Sequence, residues 1–164
     1  MDIALRGDLS WKDFEVIAEG IRSLEKEEYL NIYLFSNGGS ISVSMAILHL
    51  INENKDIVHL WGGSLNSAGF DLFFKAKCSR KLLPFVDGMY HQTKISVEIN
   101  EDGKPTYFVG EHNVKWIKSF HKETLRVATV LGFTPQEIKR LKKGDELYFM
   151  EDRIKEFFSR SRKL

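Results

Sequence analysis

The feature that most constrains this chain is a repeated exchange between two hydrophobic periods. Leu30-Asn31-Ile32-Tyr33-Leu34-Phe35 is a nearly continuous apolar run, the pattern of a strand buried in a parallel sheet. Before it, Phe14, Ile17, Ile21 and Leu24 recur at helical spacing, which predicts an amphipathic helix over 11–27 with Ser10 as its N-cap. After it, Val43, Ala46, Ile47, Leu50 and Ile51 line one face of a second helix. Ile57-Val58-His59-Leu60-Trp61 is the next strand, broken by Gly62-Gly63, and a third helix begins near Ser67. Ile3-Ala4-Leu5 reads as a first strand closed by Gly7-Asp8. Leu82-Leu83-Pro84 and Gly88-Met89-Tyr90 read as two further extended segments. This alternation specifies an α/β fold with right-handed crossovers, whose functional groups gather at the C-terminal ends of the strands.

From residue 94 the pattern changes. Residues 95–99 alternate, Asn100 to Lys104 form a turn, and 106–109 can return as a hairpin arm. A long helix is expected over 111–131 with Gly132 as its C-cap. Another begins at Thr134-Pro135-Gln136-Glu137, which carries a capping pattern with Pro at the first position. Lys143-Gly144-Asp145 ends that helix, Leu147-Tyr148-Phe149 is apolar, and a last helix runs from Glu151 to about Arg160. With 164 residues and no repeat or clear linker, one domain is expected.

Charge narrows the function. The 24 basic and 23 acidic side chains nearly cancel, which gives no reason to expect a nucleic-acid or membrane-surface partner. The basic end Arg160-Ser161-Arg162-Lys163 is read as a solvated tail. No run approaches the roughly 20 apolar residues of a membrane span, and Met1-Asp2-Ile3-Ala4 does not open a signal peptide, so a cytoplasmic location is expected. The lone Cys78 forms no intrachain disulfide. Its neighbours Lys75, Lys77, Arg80 and Lys81 are of the sign that lowers a thiol pKa, yet nothing around it makes it more than a structural thiol.

Three segments carry chemistry. Gly63-Ser64-Leu65-Asn66-Ser67-Ala68-Gly69 sets a serine among small residues where a strand meets a helix. If Ser67 opens the helix, the Ala68 N–H and the helix dipole face developing negative charge. On spacing alone the plainer role of N-cap is favoured for Ser67, and Ser64 competes with it. Met89-Tyr90-His91-Gln92 puts a histidine at the end of an apolar strand, placed to act as general base. Phe35-Ser36-Asn37-Gly38-Gly39-Ser40 offers a glycine turn, which matters for acyl transfer only if the serine reacts. No lysine follows it as in a phosphate-binding loop. A third group should orient His91. Asp145 is the first candidate, with Glu146 and Asp87 as competitors. His49, His59, His112 and His121 show no metal-ligand spacing with a third ligand, so neither a metal nor a cofactor is expected.

Together these segments resemble the proteolytic subunit of Clp protease, within the wider ClpP/crotonase fold. That family's Asn-Ser-Pro-Gly-Gly corresponds to Phe35-Ser36-Asn37-Gly38-Gly39. Its Gly-x-Ala-Ala-Ser-Met-Gly corresponds to Gly63 through Gly69, and its Met-Ile-His-Gln to Met89-Tyr90-His91-Gln92. Leu83-Pro84 matches a further Leu-Pro. The match spans about residues 3–93. The resemblance implies a repeated β-β-α superhelix with a parallel core sheet, and makes 111–131 the counterpart of the family's handle helix. It implies a serine endopeptidase with Ser67 as nucleophile, His91 as base, Asp145 as third member, and the N–H groups of Gly39 and Ala68 as oxyanion donors. It also implies a peptide or unfolded-protein substrate and a homo-oligomeric ring. Two departures stand out. Leu65-Asn66 replaces Ala-Ala before the serine. The chain also starts almost at its first core strand, without the segment that helps dock an ATPase ring, which argues against an unfoldase partner. Two rival readings remain: a non-catalytic scaffold with a misaligned triad, and a crotonase-type acyl-CoA enzyme.

Overall fold

A computed structural model describes residues 1–92, 98–99, 105–106 and 111–164. The chain divides into two compact units, residues 1–90 with 148–164 and residues 91–147.

The first unit is built on a sheet of order β1-β2-β3-β4-β7. Its strands are β1 (Asp2–Leu9), β2 (Leu30–Gly39), β3 (Val58–Asn66), β4 (Ser79–Tyr90) and β7 (Leu147–Phe149). The first four are parallel neighbours. Helices α1 (Trp11–Ser23), α2 (Ile41–Glu53) and α3 (Ala68–Lys75) connect them, and α6 (Glu151–Arg160) follows β7. Leu30, Ile32 and Leu34 of β2, with Val58 and Leu60 of β3, are fully buried on one face. The other face carries a half-buried aromatic row. Tyr33 stacks on Trp61 at 5.8 Å, Lys81 Nζ sits 4.8 Å from the Trp61 ring, and Tyr29 stacks on His59. A buried aromatic cluster joins α3 to α6: Phe70 meets Tyr90 at 4.5 Å and Phe149 at 6.4 Å, and Phe149 meets Phe157 at 4.9 Å.

Several strands outrun their sequence signals. Gly7 does not end β1. It takes φ +78° inside the strand, where the register with β2 shifts in a bulge. Gly38 and Gly39 likewise pair with Asp8 and Leu9 as the tail of β2. The two short segments expected at 82–84 and 88–90 are one strand, β4, with Phe85 at φ +62° and almost wholly exposed. The first helix stops at Ser23, short of residue 27.

In the second unit, α4 (Glu111–Leu131) and α5 (Pro135–Lys142) have the expected bounds. A Schellman motif ends α4: Phe133 N–H donates to Ala128 O and Gly132 N–H to Thr129 O, with Gly132 left-handed. The capping box opens α5, with Thr134 N–H donating to Glu137 Oε2 at 2.6 Å and Glu137 N–H to Thr134 Oγ1 at 3.2 Å. β5 (Glu98–Ile99) pairs antiparallel with β6 (Pro105–Thr106), and the remainder of the expected hairpin lies outside the described residues. No helix among the described residues is long and apolar enough to cross a membrane.

Candidate active site

Ser67 stands alone between β3 and α3, and it is held at φ 52°, ψ −115°. A positive φ in a residue with a Cβ costs about 1–3 kcal/mol and persists only where its surroundings impose it. Those surroundings are visible. Ser67 N–H donates to Met89 O on β4 at 2.7 Å, and Ser67 O accepts from Asp71 N–H in the first turn of α3. The chain therefore turns sharply from strand to helix at the serine, the geometry that lifts a nucleophile out of the backbone. Ser64 is different. It lies within β3, and its Oγ accepts from the Asn66 amide at 3.2 Å.

The departures from the family's small residues are accommodated locally. Leu65 points into the core and is fully buried, while Asn66 binds Ser64 beside it. As the first helical residue, Ala68 has an N–H with no intrahelical acceptor, at the positive end of the α3 dipole.

The glycine turn packs against the serine. A Cβ on Gly38 would lie 2.9 Å from Ser67 Cβ, and one on Gly39 would lie 2.7 Å from the backbone N and O of Leu9. Only glycine allows this approach, and both residues also have positive φ. Gly38 N–H donates to Ser36 Oγ at 3.0 Å, so that donor is already engaged.

Two positioning residues carry no role in the sequence reading. Ser36 is completely buried and clamps Gly38 by both N–H and carbonyl. A Cβ on Gly69 would fall 2.6 Å from Ser36 Cβ, so Ser36 also sets the seat of α3. Ser44 of α2 is buried and donates to Ala68 O at 3.0 Å. Its signal was available, as a serine beside the apolar stripe of Val43, Ile47 and Ile51. Ser44→Ala should cost about 0.5–1.5 kcal/mol, because it removes a buried hydrogen bond to a carbonyl at the head of α3. A urea titration and the labelling rate of Ser67 check this, and both should fall together.

His91 and Asp145 belong to the second unit. His91 directly follows the buried Tyr90 at the end of β4, and its ring Nδ1 meets the Gln92 carbonyl. Asp145 closes a second Schellman motif after α5: its N–H donates to Arg140 O and Gly144 N–H to Leu141 O, with Gly144 at φ +86°. Its carboxylate pairs with Arg140 Nε at 3.1 Å on a partly exposed surface. The contacts described for the His91 ring and the Asp145 carboxylate thus run to Gln92 and Arg140. Of the competing carboxylates, Glu146 is half-buried just before β7 and Asp87 is exposed on β4.

Cys78 is a buried free thiol, and the pull of its basic neighbours is outweighed. Burial raises its pKa to about 11, outweighing the opposing pull of the Arg80 charge. The thiol is neutral at physiological pH.

The family model for Clp protease matches residues 2–104. The chain belongs to the Clp protease family. The matched range holds the glycine turn, the serine turn and His91. Among solved structures, the N165D mutant of ClpP1 from Listeria monocytogenes superposes with a TM-score of 0.68 at 21% identity, covering 95% of this chain and 86% of that one. At that identity the likeness establishes the ClpP fold. No curated protein matches the chain. It is therefore a ClpP-like peptidase scaffold.

Proposed function

We propose that this chain is a cytoplasmic serine endopeptidase that cleaves peptide or unfolded-protein substrates within a homo-oligomeric ring. The observation that carries the reading is the strained Ser67 at the head of α3, pressed against Gly38. Ser67 Oγ attacks the peptide carbonyl. His91 takes the serine proton and returns it to the leaving amine. Asp145 orients the imidazole and stabilises its cationic form. The N–H groups of Gly39 and Ala68 receive the oxyanion of the tetrahedral intermediate. The aromatic row of Tyr33 and Trp61 on the sheet supports assembly, because a parallel sheet is ordinarily covered on both faces.

The test is fluorophosphonate labelling of the assembled protein with peptide mapping. Label on Ser67 that disappears in His91→Ala, in a protein of unchanged fold, supports the pair. No label on the folded, assembled protein sinks the reading. A second reading, a non-catalytic scaffold, is favoured by one observation: the contacts of His91 with Gln92 and of Asp145 with Arg140. It predicts no label under any condition.

A further inference from the structure

A cavity of about 630 Å³ in the first unit, away from the serine turn, is lined by Cys78, Arg80, Phe158, Ser159 and Arg162. Its position follows from how β4 starts and the chain ends. Arg80 Nη1 donates to the carbonyls of Phe73 and Phe74 at 3.1 and 2.7 Å, capping the C-terminal end of α3. The guanidinium also lies 5.9 Å from the Phe73 ring centre and 5.7 Å from that of Phe158, which hold its plane. The basic side chains of the chain end are exposed, as its composition suggests, but its backbone is anchored. Ser161–Lys163 form a 3-10 turn, with Ser161 buried and donating to Phe158 O at 2.8 Å, and this turn carries Arg162 to the cavity.

The donor inventory is one-sided. With Nη1 spent on two carbonyls, Arg80 keeps Nε–H and Nη2–H, the edge that grips an oxyanion through two parallel hydrogen bonds. Among the described residues, no carboxylate pairs with Arg80 or Arg162. Ser159 has already given its hydroxyl proton to Glu156 O. We infer that this cavity binds the phosphoryl group of a small phosphomonoester, with Arg80 as the two-pronged grip and Arg162 as the second positive charge. Two cations match a phosphate dianion, and the volume leaves room for an organic body against Phe158. Burial depresses the Arg80 pKa, the signature of a charge short of solvent, and the neutral Cys78 thiol brings no competing anion.

Phenyl phosphate is the probe, titrated by calorimetry into the full chain in a phosphate-free buffer, with benzoate at equal ionic strength as control. The expected result is saturable binding of phenyl phosphate, at least tenfold weaker in Arg162→Gln, with benzoate at least tenfold weaker than phenyl phosphate. Arg80→Lys keeps the charge but loses the fork, so it should weaken binding by a similar factor. Arg162 is exposed and caps nothing, so Arg162→Gln stays informative if Arg80→Lys unfolds. No saturable binding to the folded wild type, equal affinity in Arg162→Gln, or equal binding of benzoate would each overturn the proposal.

Discussion

Ser67→Ala should remove fluorophosphonate labelling entirely and lower peptide hydrolysis by several orders of magnitude, about 10³-fold or more. On the proposed mechanism the side chain lost is the nucleophile, so no residual activity beyond substrate positioning and oxyanion stabilisation should survive. The substitution should leave the fold intact, because alanine keeps a Cβ in the same left-handed conformation. Ser67→Gly separates function from stability. Glycine enters positive φ without steric cost, so this variant should lose activity equally while gaining about 1 kcal/mol of stability. A protein whose active-site serine is replaced and whose unfolding midpoint rises carries its strain for chemistry. Denaturant titration beside the labelling assay checks both. An unchanged midpoint in Ser67→Gly would mean that the turn stores no strain.

Phe70→Ala should be the most destabilising single change, at about 3–5 kcal/mol. Phe70 is fully buried and its ring meets Phe74, Tyr90, Phe149 and Phe157 within 6.5 Å or less, at 4.5, 4.5, 6.4 and 6.2 Å. Removing it opens a cavity where α3, the end of β4, β7 and α6 meet. For a chain of this size the melting temperature should fall by on the order of 10 °C. The loss should also reach function, since Phe70 is on the same first turn of α3 that presents Ala68 N–H. Thermal unfolding of Phe70→Ala and Phe70→Leu gives the scale. A cost below about 1 kcal/mol in the alanine variant would show that the cluster collapses around the gap.

Local chemistry was readable wherever a signal was repeated or self-contained. The bounds of α4, α5 and α6 follow from helical periodicity with an adjacent cap: Gly132 for α4, Thr134 with Glu137 for α5. Where a residue has two uses, the sequence reading went astray. Gly7 and the Gly38-Gly39 pair look like turns, yet they are bulged strand because glycine with positive φ can stay in a ladder. Leu82-Leu83-Pro84 and Gly88-Met89-Tyr90 read as two segments, but neighbouring β3 carries β4 across the gap through a shifted register. Cys78 lies among cations in sequence, whereas its titration is governed by burial, a property of the folded chain.

The site divides in the same way. The sequence by itself determined the α/β class, the order of strands and helices, and the residue types of a serine-hydrolase turn, because each depends on neighbours a few positions away. Only the tertiary structure decided that Ser67 is held in the left-handed region, that Ser36 and Ser44 clamp the turn it shares with Gly38, and that Arg80 and Arg162 share a cavity. Those facts depend on residues that meet across strands and helices, where packing and desolvation set both conformation and charge.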